Sequence, residues 1–182
     1  MKLLIASDIH GSAYYCQALM HQLAIEKPDT LLLLGDLLYH GPRNDLPKNY
    51  HPKEVITLLN NCPSRILCVR GNCDSEVDQM VLSFSILSDY AFLYLTKRQV
   101  FITHGHLFNL NHLPPSLKKG DILLHGHTHV PAWKSFGDDN LYINPGSISI
   151  PKEESPHSYL LLEDHNLTWK TLEGKPYHQL CL

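Results

Sequence analysis

Apolar runs four to six residues long recur along the chain, each stopped by a short polar turn, and the spacing between the runs changes halfway. Residues 2–7 (KLLIAS) form the first run, stopped by Asp8 and His10. Residues 30–34 (TLLLL) read as a strand buried on both faces and lead into Gly35-Asp36. Residues 65–69 form a third strand, ending in Arg70-Gly71-Asn72-Cys73-Asp74. Between the first two runs, Cys16, Leu19, Met20 and Leu23 recur at helical spacing until Lys27-Pro28 breaks it. Between the second and third, Pro52 opens a helix carrying Val55, Ile56, Leu58 and Leu59, with Cys62-Pro63 as its stop. Strands alternating with helices predict an α/β core with parallel pairing.

From residue 91 the helical spacing disappears. Residues 91–95, 99–103, 122–124, 130–136, 141–143, 159–162 and 167–172 read as short strands between turn signals such as Gly137-Asp138-Asp139-Asn140. They predict a second sheet, largely antiparallel. The long polar connection 40–51, HGPRNDLPKNYH, predicts a functional edge rather than filler.

Composition narrows the class. With 182 residues, 43% apolar and 18% charged, residues 1–182 suit a single domain with a sizeable core. The net charge of -3 offers no basic field for non-specific nucleic acid binding. Cys16, Cys62, Cys68, Cys73 and Cys181 are odd in number and lack CxxC spacing, so neither a disulfide framework nor a zinc knuckle is expected, and a reducing cytoplasm is. The first apolar run is too short for a signal-peptide core, and no later run approaches membrane-spanning length, so no membrane partner is expected.

Thirteen histidines need an assignment, and three of them stand at alternate positions in ILLHGHTHVP, residues 122–131. Asp8 and His10 follow the first strand, Asp36 the second, Asn72 the third, His104 the strand at 99–103, and His127 and His129 the strand at 122–124. Ligand sites of α/β sheets lie at strand carboxyl ends, so these groups can converge. Singly, Asp8 reads as a helix cap, Asp36 as a turn carboxylate and Asn72 as a left-handed turn residue. Together, carboxylates, an amide and imidazoles without thiolate suit a pair of divalent ions. Asp36 is the carboxylate placed to be shared by two cations about 3.5–4 Å apart.

The motifs Asp8-Ile9-His10, Gly35-Asp36, Gly71-Asn72-Cys73-Asp74, Thr103-His104-Gly105-His106 and Gly126-His127-Thr128-His129 resemble, in order, the five signatures of the calcineurin-like metallophosphoesterases. Gly41-Pro42-Arg43-Asn44, the run GNCDSEVDQM at 71–80 and Asn144-Pro145-Gly146-Ser147 make nearly the whole chain similar to the small bacterial YfcE-type phosphodiesterase branch. The resemblance implies an α/β four-layer αββα sandwich, two mixed sheets face to face with helices outside. It implies that Asp8, His10 and His129 hold one metal and Asn72, His104 and His127 a second, with Asp36 bridging. The cofactors would be two divalent ions, manganese first, with cobalt, nickel, zinc or magnesium as alternatives. A bridging hydroxide would then attack a small phosphodiester substrate. A phosphomonoesterase or protein phosphatase is the alternative enzyme. A non-catalytic scaffold, as in a retromer subunit, is the other class, but each motif position here holds a competent ligand. A homo-oligomer is compatible with this reading.

Three histidine and arginine assignments remain open on the residues alone. His125 matches no family role and reads as a polar strand-end residue. His106 stands behind the ligands, and Arg70 reads equally as a surface ion pair. Arg43 is a catalytic candidate because a guanidinium suits bidentate contact with phosphate oxygens. Cys73 is the second, and it departs from the wider family, where GNH is common. A thiol binds phosphate poorly and is a different acid from an imidazolium, so the departure puts leaving-group catalysis in doubt.

Overall fold

The computed structural model describes residues 1–95 and 98–182. In chain order its elements are β1 (Lys2–Ala6), α1 (Ala13–Glu26), β2 (Thr30–Leu33), α2 (Pro52–Asn60), β3 (Arg65–Cys68), α3 (Glu76–Val81), β4 (Tyr90–Leu95) and β5 (Arg98–Thr103). They continue with β6 (Ile122–Leu124), β7 (Ala132–Phe136), β8 (Asn140–Asn144), β9 (Ser158–Glu163), β10 (Asn166–Thr171) and β11 (Pro176–Cys181). One sheet has six strands in the order β11-β10-β9-β1-β2-β3; the other has five in the order β4-β5-β6-β8-β7.

The apolar runs of β1 and β2 are continuous because both faces of their sheet are covered. Successive side chains of a strand point to opposite faces. Leu4, Ala6, Leu31 and Leu33 pack with Cys16, Leu19 and Leu23 of α1 and with Val55 and Leu59 of α2. Leu3, Ile5, Leu32 and Leu34 meet Val100, Ile102, Ile122, Leu124 and Ile143 of the second sheet, with Trp169 fully buried beside them. Each such leucine or isoleucine contributes about 1.5–3 kcal/mol by leaving water. Ser12 caps α1 by accepting from the Tyr15 N–H (3.3 Å), and Lys27 ends it in the left-handed conformation.

The two mixed sheets packed face to face are those the family resemblance implies, with helices outside the six-stranded one. The outer layer on the other sheet is irregular: residues 104–121 hold no helix, and Phe108 packs edge-on against Phe101, ring centroids 5.4 Å apart. The largely antiparallel second sheet is corrected. Its β5, β6 and β8 run parallel, with antiparallel partners only at the edges. The late strands β9, β10 and β11 join the first sheet instead, β9 pairing antiparallel with β1. Parallel β1, β2 and β3 bring three strand ends to one side, where the ends of β5 and β6 meet them.

Candidate metal centre

Every polar residue expected at a strand end lies where the sequence puts it, and the loops that carry these residues are hydrogen-bonded to one another. The Asp8 N–H donates to the Gly35 carbonyl (3.2 Å), and the His10 N–H donates to the Asp36 carbonyl (2.9 Å). Asp8, His10, Asp36, His127 and His129 have positive φ, between 49° and 65°. A left-handed non-glycine residue costs about 1–2 kcal/mol, so five at one place require a scaffold that holds them.

Asp74 supplies much of that scaffold. Its carboxylate is buried and accepts from the Asp36 N–H (2.8 Å), the Gly71 N–H (2.8 Å) and the Leu37 N–H (2.9 Å), tying the loops after β2 and β3 together. Gly71 must be glycine, since a Cβ there would stand 2.1 Å from Asp36 Oδ1. Ser147 and Ser149 hydroxyls donate to the Asp8 carbonyl (3.0 and 2.9 Å), and Asn144 Nδ2 donates to the Gly126 carbonyl (2.9 Å). Sequence reasoning quoted Asp74, Asn144 and Ser147 within motifs without giving them this task. It passed over Ser149, whose only signal is its place two residues after Ser147.

The imidazoles are oriented by backbone carbonyls. Nδ1 of His10, His104 and His129 lies 2.8, 2.7 and 2.6 Å from the carbonyls of Tyr39, Leu34 and Ile150. A carbonyl only accepts, so each Nδ1 carries a proton and each Nε2 is aimed into the site. Nε2 of His10 and of His129 are 3.3 Å apart, and Asp8 Oδ1, buried without a hydrogen-bond partner, lies 3.3 Å from His129 Nε2 and 3.7 Å from His10 Nε2. Asp36 Oδ2 stands 3.6 Å from His10 Nε2 and 3.5 Å from His104 Nε2, between the two groups. On the far side, His104 Nε2 is 3.1 Å from Asn72 Oδ1 and 3.1 Å from His127 Nδ1. Acceptor atoms crowded in this way fit divalent cations, which would satisfy several of them at once.

The electrostatics agree. Burial works against the charged form of Asp8, but His10 and His129 outweigh it and hold the carboxyl well below its ordinary range. Burial opposes ionisation of Asp36 too, and His104 reverses the effect. Burial disfavours the charged form of His104, yet Asp36 and Asp8 raise it to about 9, whereas burial and the charge of His104 push His127 down to about 4. The carboxylates thus set a demand for positive charge, and divalent cations meet it with the imidazoles neutral.

Above these groups lies a cleft of about 370 Å³, lined also by Gly41, Pro42, Arg43, Asn44, Cys73 and Lys152. Arg43 therefore faces the site. The Cys73 N–H donates to Asp36 Oδ1 (2.8 Å), and its sulfur lies within 4.8 Å of donor atoms of His10 and Asp36. Burial and the Asp36 charge push the thiol up. His106 sits behind His104, ring centroids 5.4 Å apart. Arg70 pairs with Glu76 at 3.6 Å.

His125 stands at the strand end where it was expected, directly after β6, but it joins the core: it is 2% exposed and packs on Tyr142 with ring centroids 4.5 Å apart. Burial lowers it to about 4 and keeps it neutral. Gly105 leaves it room, because a Cβ at Gly105 would meet its Nδ1 at 2.6 Å.

Residues 1–166 match the calcineurin-like phosphoesterase superfamily domain. Phosphodiesterase YfcE of Escherichia coli (strain K12) is 45% identical over 168 residues, covering 92% of this chain and 90% of its own. The probable metallophosphoesterase YsnB of Bacillus subtilis (strain 168) is 28% identical over 172 residues, covering 91% and 86%. The solved structure of YfcE, a phosphoesterase from E. coli, superposes with a TM-score of 0.93 at 43% identity, over 100% of this chain and 99% of its own. This chain belongs to the calcineurin-like phosphoesterase superfamily.

Proposed function

We propose that the protein is a metal-dependent phosphodiesterase of the cytoplasm, acting as one domain on small phosphodiesters. The observation that carries this reading is the set of three imidazoles, each held by a carbonyl at Nδ1, whose Nε2 atoms converge with two buried carboxylates. The name and the 45% identity of YfcE support diesters over monoesters. Asp8, His10 and His129 would hold one ion, Asn72, His104 and His127 the other, with Asp36 shared between them. The mixed nitrogen and oxygen donors suit manganese, and also cobalt, nickel, zinc or magnesium.

When bound, two divalent cations bring water to hydroxide near neutral pH and stabilise charge on the phosphoryl oxygens. The chain supplies the rest. Backbone carbonyls fix the proton of the imidazoles at Nδ1 and leave Nε2 facing the site, and the Cys73 N–H fixes the Asp36 carboxylate. Arg43 is placed to bind substrate phosphate oxygens in the cleft. Cys73 presents a thiol rather than an imidazole to the cleft, a poor partner for phosphate and a different acid, so turnover depends on the leaving group.

The test is hydrolysis of a panel of mono- and diesters by metal-stripped protein reconstituted with each of the five metals, with bound metal counted. Two ions per chain, diester cleavage abolished by a chelator and recovery with manganese are expected. Full metal occupancy without ester hydrolysis would leave a scaffold, and faster monoester cleavage would make the protein a phosphomonoesterase.

A further inference from the structure

The cleft over the candidate metal centre has two walls, and each presents a cation. On one, Asn44 closes a turn by donating from its N–H to the Gly41 carbonyl (3.2 Å) and from Nδ2 to the His40 carbonyl (2.9 Å); Arg43 projects from this turn into the cleft. On the other, the Lys152 N–H donates to the His129 carbonyl (3.1 Å), and the Ser155 N–H and hydroxyl close on the Lys152 carbonyl (3.0 and 2.6 Å). Lys152 is thereby anchored beside a candidate metal ligand, and its side chain lines the cleft.

The charges on these walls are sorted. Arg43 and Lys152 are exposed, and neither joins an ion pair among the described residues. Asp45, Glu153 and Glu154 sit on the same two segments, and none of them lines the cleft. The lining offers no Phe, Tyr, Trp, Leu, Ile or Val on which a nucleobase or acyl chain could rest. A phosphodiester carries one negative charge at the reacting phosphorus, and the metal ions already answer it. Two further cations in a cleft without apolar walls are left over by such a substrate.

We infer that Arg43 and Lys152 form a subsite for a second phosphate, so that the favoured substrates are small phosphodiesters with a terminal phosphate on one ester arm. The inference rests on the phosphodiesterase reading and deepens it. Arg43 offers a planar fork to phosphate oxygens, and Lys152 adds a point charge from the second loop that lines the cleft. The lining offers no Phe, Tyr or Trp platform, which leaves charge and reach to choose the substrate.

The test compares two diesters that share a 4-nitrophenolate leaving group, 4-nitrophenyl 3-hydroxypropyl phosphate and its analogue phosphorylated on the terminal hydroxyl. The manganese-loaded wild type should favour the phosphorylated diester by about tenfold in kcat/KM, mainly through KM, as expected for charge-assisted contacts. Lys152→Met should remove most of that preference, and Lys152→Glu should reverse it. Metal content and melting temperature should stay at wild-type values, since Lys152 is an exposed side chain. Equal turnover of the two diesters by wild type, or a preference unchanged in both variants, overturns the second-phosphate subsite and leaves the phosphodiesterase reading standing. Turnover of neither diester at full metal loading overturns both.

Discussion

Cys73 is the residue where this chain departs from the GNH pattern of the family its motifs resemble. Its backbone is structural, through the bond to Asp36, while its side chain lines the cleft. A thiol binds phosphate poorly and is a different acid from an imidazolium. Replacing Cys73 by His keeps the N–H and adds a donor near neutral pH. A plot of log kcat/KM against leaving-group pKa should therefore be shallower for Cys73→His than for wild type at equal metal content. Parallel lines would sink the missing-acid account. At this scale the convergent residues were legible in the sequence, because Asp, Asn and His at strand ends carry their chemistry with them. The partners of their backbones were not. Asp74 and Ser147 act on Asp36 and Asp8 across gaps of 38 and 139 residues, and no local spacing encodes such contacts.

At the scale of elements, α1 is fastened to the six-stranded sheet by a polar clasp at its last residue. Glu26 is nearly buried, and it accepts from Lys170 Nζ on β10, from the Tyr159 hydroxyl on β9 (3.1 Å) and from Lys2 Nζ on β1 (3.3 Å). Burial alone would raise this carboxyl, but Lys170, Tyr159 and Lys2 outweigh it and lower it from 4.5. Because the folded value is the lower one, the stabilisation is complete above the ordinary value of 4.5 and is lost as pH falls through the folded value. Glu26→Gln should cost about 1–3 kcal/mol at pH 7 in urea unfolding. The gap from wild type should close as the pH is taken well below 4.5. A gap that stays constant across that range would refute the assignment. Two elements escaped the sequence pattern for reasons visible in their burial. Helix α3 buries no residue and is set by the Ser75–Asp78 capping box, while β11 is an edge strand whose residues are exposed or half-buried throughout. Six residues each are too few to set up a period: α3 carries Val77, Met80 and Val81 at helical spacing but leaves them exposed, and β11 lies at a sheet edge.

On the scale of the whole molecule, the candidate site joins the two sheets: Asp8, His10, Asp36 and Asn72 come from the six-stranded sheet, and His104, His127 and His129 from the five-stranded one. Ions held by both sets are bound by the folded chain alone, so manganese should raise the melting temperature. Free metal at 100 times its Kd corresponds to about 2.7 kcal/mol per site. Asp36→Asn should lose most of this gain and lower occupancy at both positions; a full gain with two ions retained would show that Asp36 is not shared. The sequence alone was enough for the alternation of β1, α1, β2, α2 and β3, the buried nature of the first strands and the identity of the polar residues that converge. These depend on residue type and short spacing, which local chemistry dictates. Only the tertiary structure decided that β9, β10 and β11 extend the first sheet, that His125 packs on Tyr142 while its neighbours at alternate positions line the cleft, and that Lys152 shares that cleft with Arg43. Those facts depend on which distant segments meet, and a strand's pattern specifies a buried face without naming the partner that buries it.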